Sequence, residues 1–130
     1  MTRIAVIGFG EAGQIYAQDL ARAANVRVWD KKFLTEQGAS LRAIAEQAAV
    51  QPASSMADAL EGAEFVLSLV TAGNALEVAA QAAPLLGSGQ LFLDFNSVAP
   101  ETKRAAAKAI KKGDGDYLDV AVMAPVPPNL

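Results

Sequence analysis

Short runs of apolar residues alternate along this chain with longer stretches in which apolar residues recur at helical spacing. Such runs suit strands buried on both faces, and their alternation with amphipathic segments predicts βαβ units and a parallel sheet. The predicted strands are 3–7, 26–30, 65–70, 90–95 and 117–122, with a weaker one at 50–53. Between them, Ala12, Ile15, Tyr16, Leu20 and Ala23 mark the inward face of a first helix. Leu41, Ile44, Ala45 and Ala48 do the same for a second, and Ala75, Val78, Ala79, Ala82 and Leu86 for a third. A short helix is expected over 56–60, before Gly62. A last helix starts at Pro100, where proline's missing N–H costs nothing, and stops at Gly113 after Lys111 and Lys112, whose charge suits a helix C-terminus.

The 130 residues amount to about one domain on a prior of roughly 100–200 residues each. The domain is expected over 1–122. Residues 123–130, within a Pro-rich stretch that cannot sustain a helix, read as the start of an interdomain connection. Composition narrows the chemistry. With no Cys there are no thiol nucleophiles, disulfides or thiolate metal sites. With no His, the commonest general base and transition-metal ligand are missing too, so Ser-His-Asp catalysis is excluded and no metal site is expected. A net charge of −3 with scattered basic residues argues against a nucleic-acid partner. No apolar run approaches the roughly 20 residues of a spanning helix, so no membrane partner and a cytoplasmic location are expected.

The strongest chemical signal is Gly8-Phe9-Gly10-Glu11-Ala12-Gly13, set directly between an apolar strand and an amphipathic helix. In that context the first glycine permits a tight turn, the second lets backbone approach a diphosphate, and the third allows close helix-to-strand packing. Asp30 ends the second strand about 20 positions on, where a carboxylate accepts hydrogen bonds from a ribose 2′-hydroxyl. That favours NAD, although Lys31 and Lys32 follow at once and suit a 2′-phosphate, which leaves NADP open. The fold class is thus α/β, a doubly wound, mostly parallel sheet of Rossmann type with strand order near 3-2-1-4-5-6.

Two further segments lie at strand ends that would border the bound dinucleotide. In Leu69-Val70-Thr71-Ala72-Gly73-Asn74, Asn74 and the backbone after Val70 are placed to meet a cofactor ribose, and Asn74 is equally well placed to cap the next helix. In Asp94-Phe95-Asn96-Ser97-Val98-Ala99-Pro100, polar groups gather where nicotinamide and substrate would meet, and the same residues also make an ordinary helix start. Lys103, Arg104, Lys108, Lys111 and Lys112 on the last helix read as a solvated face. Trp29, Tyr16 and Tyr117 read as packing.

Together these residues resemble the β-hydroxyacid dehydrogenases, which include 3-hydroxyisobutyrate and 6-phosphogluconate dehydrogenases, along essentially the whole chain as that family's N-terminal domain. The family's glycine motif matches Gly8, Gly10 and Gly13, with Ala12 in place of the usual methionine. Its Leu-Pro…Asn segment matches Leu69 and Asn74, with Val70 replacing proline, and implies cofactor contacts. Its Asp-x-Ser-Thr-x-x-Pro segment matches Asp94 to Pro100, which puts Asn96 and Ser97 at positions that meet substrate and cofactor. The family's Asp-Ala-Pro-Val-Ser-Gly-Gly is here Asp119-Val120-Ala121-Val122-Met123-Ala124-Pro125. By resemblance Met123 and Ala124 still line the substrate pocket, with less hydrogen bonding. The family's catalytic lysine lies in an all-helical second domain that has no counterpart before Leu130, so no catalytic residue is assigned within the chain. The expectation is a domain that binds NAD(H), turns over a small hydroxy acid poorly by itself, and associates, as a homodimer or otherwise, through the face a helical domain would cover. The alternative from the residues alone is a nucleotide-sensing regulatory domain without catalysis.

Overall fold

The computed structural model describes residues 1–120. Its elements in chain order are β1 (Arg3–Ile7), α1 (Glu11–Leu20), β2 (Asn25–Trp29), α2 (Gly38–Gln47), β3 (Gln51–Pro52), α3 (Met56–Leu60), β4 (Phe65–Ser68), α4 (Ala75–Ala82), β5 (Leu91–Asp94), α5 (Pro100–Lys111) and β6 (Asp116–Asp119). The strands pair in parallel in the order β3-β2-β1-β4-β5-β6. This is the expected Rossmann-type sheet. Parallel neighbours joined by helices need right-handed crossovers, which put α1 and α2 on one face and α4 and α5 on the other. The chain reverses its direction of travel between β1 and β4, and that reversal opens a crevice at the carboxyl ends of the strands.

The core is the sheet's centre. Val6, Val28 and Val66 on neighbouring strands are wholly buried, and Ile7 and Phe92 join them. The predicted inward face of α4 is buried throughout, from Ala75 to Ala82 with Leu86 beyond the helix, because alanines let the helix lie close to the sheet and to α5.

Other expectations need correction. The strands predicted at 65–70 and 90–95 end at Ser68 and Asp94, and the residues after each peel off into the crevice loops. The strand predicted at 117–122 runs over Asp116–Asp119 at the sheet's rim, largely exposed, while 121 and 122 lie outside the described residues. On α1 the predicted inward face is displaced: Ala12 and Ala23 are exposed and Ile15 is 57% exposed, whereas Gly13 and Ala17 are buried. The helix docks through its smallest side chains because these permit the close approach to β1, while Tyr16 and Leu20 of the predicted face are half-buried, Tyr16 against Phe95 and Leu20 against the core. On α2, Ala45 is buried and Leu41 and Ala48 half-buried, but Ile44 is exposed.

Candidate functional site

The turn between β1 and α1 is shaped by two glycines for reasons internal to the protein. Gly8 has φ +104°, a left-handed conformation that strains any side chain, and a Cβ there would collide with the carbonyl oxygen of Leu69. A Cβ on Gly13 would collide with the carbonyl of Gly8, so α1 can start this close to β1 only without one. Gly10 is different. Its backbone, at φ −78° and ψ −161°, is open to any residue, and a Cβ there would meet nothing within 4 Å. Among the described residues, nothing in the packing requires a glycine at this position. The space it leaves lies over the start of α1, where no side chain caps the helix and the amides of Glu11, Ala12 and Gly13 meet no acceptor among the described hydrogen bonds. An uncapped helix start with cleared space above it is a cradle for an anion. Phe9 itself points away, buried in an aromatic cluster with Phe33, which in turn packs edge-on against Trp29. Only the backbone of Phe9 faces the turn's chemistry.

Asp30 stands just beyond β2 and holds the turn from the other side. Its Oδ2 accepts the Phe9 N–H at 2.8 Å, and its Oδ1 accepts the Lys32 N–H at 2.8 Å, capping a short 3-10 turn over Lys31–Leu34. A carboxylate has about four acceptor directions, so two remain for sugar hydroxyls while the backbone bonds fix its orientation. Between Asp30 and the loop after β4 runs a largely apolar groove lined by Trp29, Met56, Leu69, Val70 and Val78. Lys31 bridges it: its Nζ donates to Asn74 Oδ1 at 2.9 Å, and Asn74 Nδ2 donates to Thr71 Oγ1 at 2.6 Å. Asn74 therefore does not cap α4 with its side chain and instead lies at the groove's far wall.

The third part of the site is a polar row across the strand ends. Ser68, Asp94 and Asp119 are register partners on β4, β5 and β6, and Ser68 and Asp94 are fully buried. Asn96, expected to face substrate, is only 5% exposed, with its carboxamide occupied. Its Nδ2 donates to Ser68 Oγ at 3.0 Å and Asp94 Oδ1 at 2.9 Å, while its Oδ1 accepts the Val70 N–H at 2.8 Å. The correction follows from length: an Asn two residues past a buried Asp reaches back under the loop rather than out of it. Ser97, by contrast, is exposed at the mouth of a shallow depression shared with Asn96, Lys103 and Asp119. Tyr117 donates its hydroxyl to Asp94 Oδ2 at 2.8 Å. Burial, that bond and the charges of Asp94 and Asp119 together push the phenol's pKa well above its ordinary value.

Lys103 is the residue that reading the sequence missed. Its side chain is 12% exposed, not solvated, and Nζ donates to the Asp94 carbonyl at 2.9 Å and to Asp119 Oδ1 at 2.7 Å, with Asp94 Oδ1 at 3.4 Å. The other cations assigned to that face, Arg104, Lys108, Lys111 and Lys112, are exposed as expected. Met123 and Ala124 lie outside the described residues. Among the described residues no cluster of three metal-ligating side chains occurs, and no helix is long and apolar enough to cross a membrane.

Comparison with known proteins agrees with this geometry. Residues 3–124 match the family model described as the NAD binding domain of 6-phosphogluconate dehydrogenase. A 3-hydroxyisobutyrate dehydrogenase of Pseudomonas aeruginosa is 34% identical over 128 residues, covering 94% of this chain, while the chain spans 41% of that relative's length. Among solved structures, a conserved hypothetical protein from Sinorhizobium meliloti 1021 superposes with a TM-score of 0.91 at 44% identity, over 98% of this chain and 44% of the other. The 3-hydroxyisobutyrate dehydrogenase of Mycobacterium tuberculosis shares the fold, with a TM-score of 0.78 at 21% identity over 95% of this chain and 41% of its own. The strand-turn-helix with its cleared anion cradle, the strand-end carboxylate and the matched family model lead to one statement: this chain belongs to the family of the NAD binding domain of 6-phosphogluconate dehydrogenase.

Proposed function

We propose that this chain is the dinucleotide-binding part of an NAD-dependent oxidoreductase acting on a small 3-hydroxy acid. The observation that carries the reading is Gly10, a glycine with no packing cause among the described residues, set over amides that meet no acceptor among them, where a diphosphate would sit. The residues present fit the cofactor. Glu11, Ala12 and Gly13 offer backbone amides to the diphosphate, Asp30 offers two acceptor directions to ribose hydroxyls, and the groove between Trp29 and Val78 offers apolar walls to a flat base. A bound nicotinamide supplies hydride exchange at its ring, and the protein's part is orientation. Ser97, exposed between the ends of β5 and β6, is the side chain best placed to orient a substrate oxygen.

NAD is favoured over NADP by Asp30, because a fixed carboxylate attracts a 2′-hydroxyl and repels a 2′-phosphate. Of the two cations beside it, Lys31 is already bonded to Asn74, and Lys32 is exposed at the same groove. The substrate class rests on the Pseudomonas relative's activity, and this chain spans less than half of that protein. Ser97, exposed on the β5–β6 side of the crevice, supports an oxidoreductase over a nucleotide sensor, which has no use for a hydroxyl there.

Titrating NADH while following energy transfer from Trp29, the chain's single tryptophan, tests the reading. Saturable binding, at least tenfold tighter than for NADPH, is expected. No saturable signal at millimolar NADH would overturn it.

A further inference from the structure

We infer that Lys103 is a positioning residue, which ties the ends of β5 and β6 together and, through Asp94 and Asn96, sets the Val70 amide at the wall of the dinucleotide groove. The cofactor readout of this inference rests on the function proposed above, and the structural readout does not.

Burying an ammonium group is costly unless it is paired, and a well-packed apolar residue in the same place commonly serves stability as well or better. Lys103 lies on the buried face of α5, three positions before Ala106 and seven before Ile110, both wholly buried. An apolar side chain would fit that stripe. What the ammonium does instead is bridge two strands, by donating to the Asp94 carbonyl on β5 and the Asp119 carboxylate on β6. The charged groups facing it are Asp94 from β5 and Asp119 from β6, and the Tyr117 hydroxyl meets the other oxygen of the Asp94 carboxylate.

The effect travels along a chain of bonds. Lys103 and the Tyr117 hydroxyl fix the Asp94 carboxylate, whose Oδ1 accepts both the backbone N–H and the Nδ2 of Asn96, at 3.0 and 2.9 Å. A charged acceptor on one side of a carboxamide forces its NH2 group to that side, so its oxygen must point the other way. There it meets the Val70 N–H at 2.8 Å. Val70 and Leu69 line the groove, and the Leu69 carbonyl lies against Gly8, so the position of this loop is felt at the glycine turn. One buried cation thereby keeps the β4 loop, the β5 loop and the phosphate turn in one arrangement.

The test compares Lys103→Met, Lys103→Arg and the wild-type chain by amide hydrogen exchange at Val70, with the core amides of Val6 and Val66 as internal references, and by NADH titration. In Lys103→Met, Val70 exchange should accelerate about tenfold beyond any change at Val6 and Val66, and NADH should bind about tenfold more weakly, with Lys103→Arg restoring both to within about threefold. If Lys103→Met lowers the melting temperature but leaves relative Val70 exchange and NADH affinity unchanged, the lysine is merely structural and the inference is overturned. Should that variant not fold, Asp119→Asn weakens the clamp at a side chain 56% exposed, and unchanged Val70 exchange there overturns the inference equally. Wild-type chain that fails to bind NADH, with Val70 exchange still dependent on Lys103, would defeat the proposed function and leave the positioning role standing.

Discussion

Gly10 and Gly13 separate the demands of the fold from those of the ligand, and substituting each by alanine should do different damage. At Gly13 the new methyl runs into the carbonyl of Gly8, so the start of α1 must move away from β1. Overpacking of that kind costs about 2–3 kcal/mol, a fall of roughly 10 °C in melting temperature for a chain this size. At Gly10 the methyl meets no atom of the described residues within 4 Å and the backbone dihedrals suit alanine, leaving only the poorer helix-capping of alanine relative to glycine, about 0.5–1 kcal/mol. The same methyl stands where a diphosphate approaches the amides, and displacing it would forfeit one charge-assisted hydrogen bond or more. At about 1.5–3 kcal/mol for such a bond, NADH affinity should fall about 10- to 150-fold. Thermal melts and NADH titrations on both variants make the assay. Gly10→Ala that binds NADH within about twofold of wild type would refute the reasoning, because the space would then have no ligand to explain it.

Asp30→Ala should weaken NADH binding about tenfold while leaving NADPH binding unchanged or improved, and an equal loss for both would reduce Asp30 to a cap for the turn after β2. Stability should decline as pH rises past about 10, because folded Tyr117 keeps its proton where the unfolded chain has lost its own. Tyr117→Phe should make that decline shallower between pH 10 and 12 in denaturant midpoints, and superimposable slopes would count against it. Phe92→Ala, at a side chain 1% exposed in the middle of the sheet, should cost about 3–5 kcal/mol by chemical denaturation. A loss below about 1 kcal/mol is incompatible with that burial.

What could be read from the residues was whatever depends on near neighbours along the chain. The strand-turn-helix around Gly8 to Gly13 and the carboxylate of Asp30 keep fixed spacings, and the stripe from Ala75 to Ala82 faces one way however the rest is arranged. The inward face of α1 escaped because hydrophobic periodicity weights bulky residues, whereas Gly13 and Ala17 dock through having little side chain at all. Lys103 escaped because its partners are nine and sixteen positions away on two different strands. One signal was available: Lys103 shares a helical face with Ala106 and Ile110, an odd place for a charge with nothing to meet. The inward turn of Asn96 escaped because it is decided by Ser68 on β4 and the Val70 amide in the loop after it, both remote in sequence.

The two rims of the sheet are finished in different ways. On one, β3 is only two residues long and the second is Pro52, which has no N–H to offer an incoming strand. On the other, β6 begins and ends with Asp116 and Asp119. A second copy laid antiparallel against that rim would set aspartates near aspartates. Among the described residues, then, neither border offers an incoming strand a favourable edge, which works against growth of the sheet from one molecule into the next.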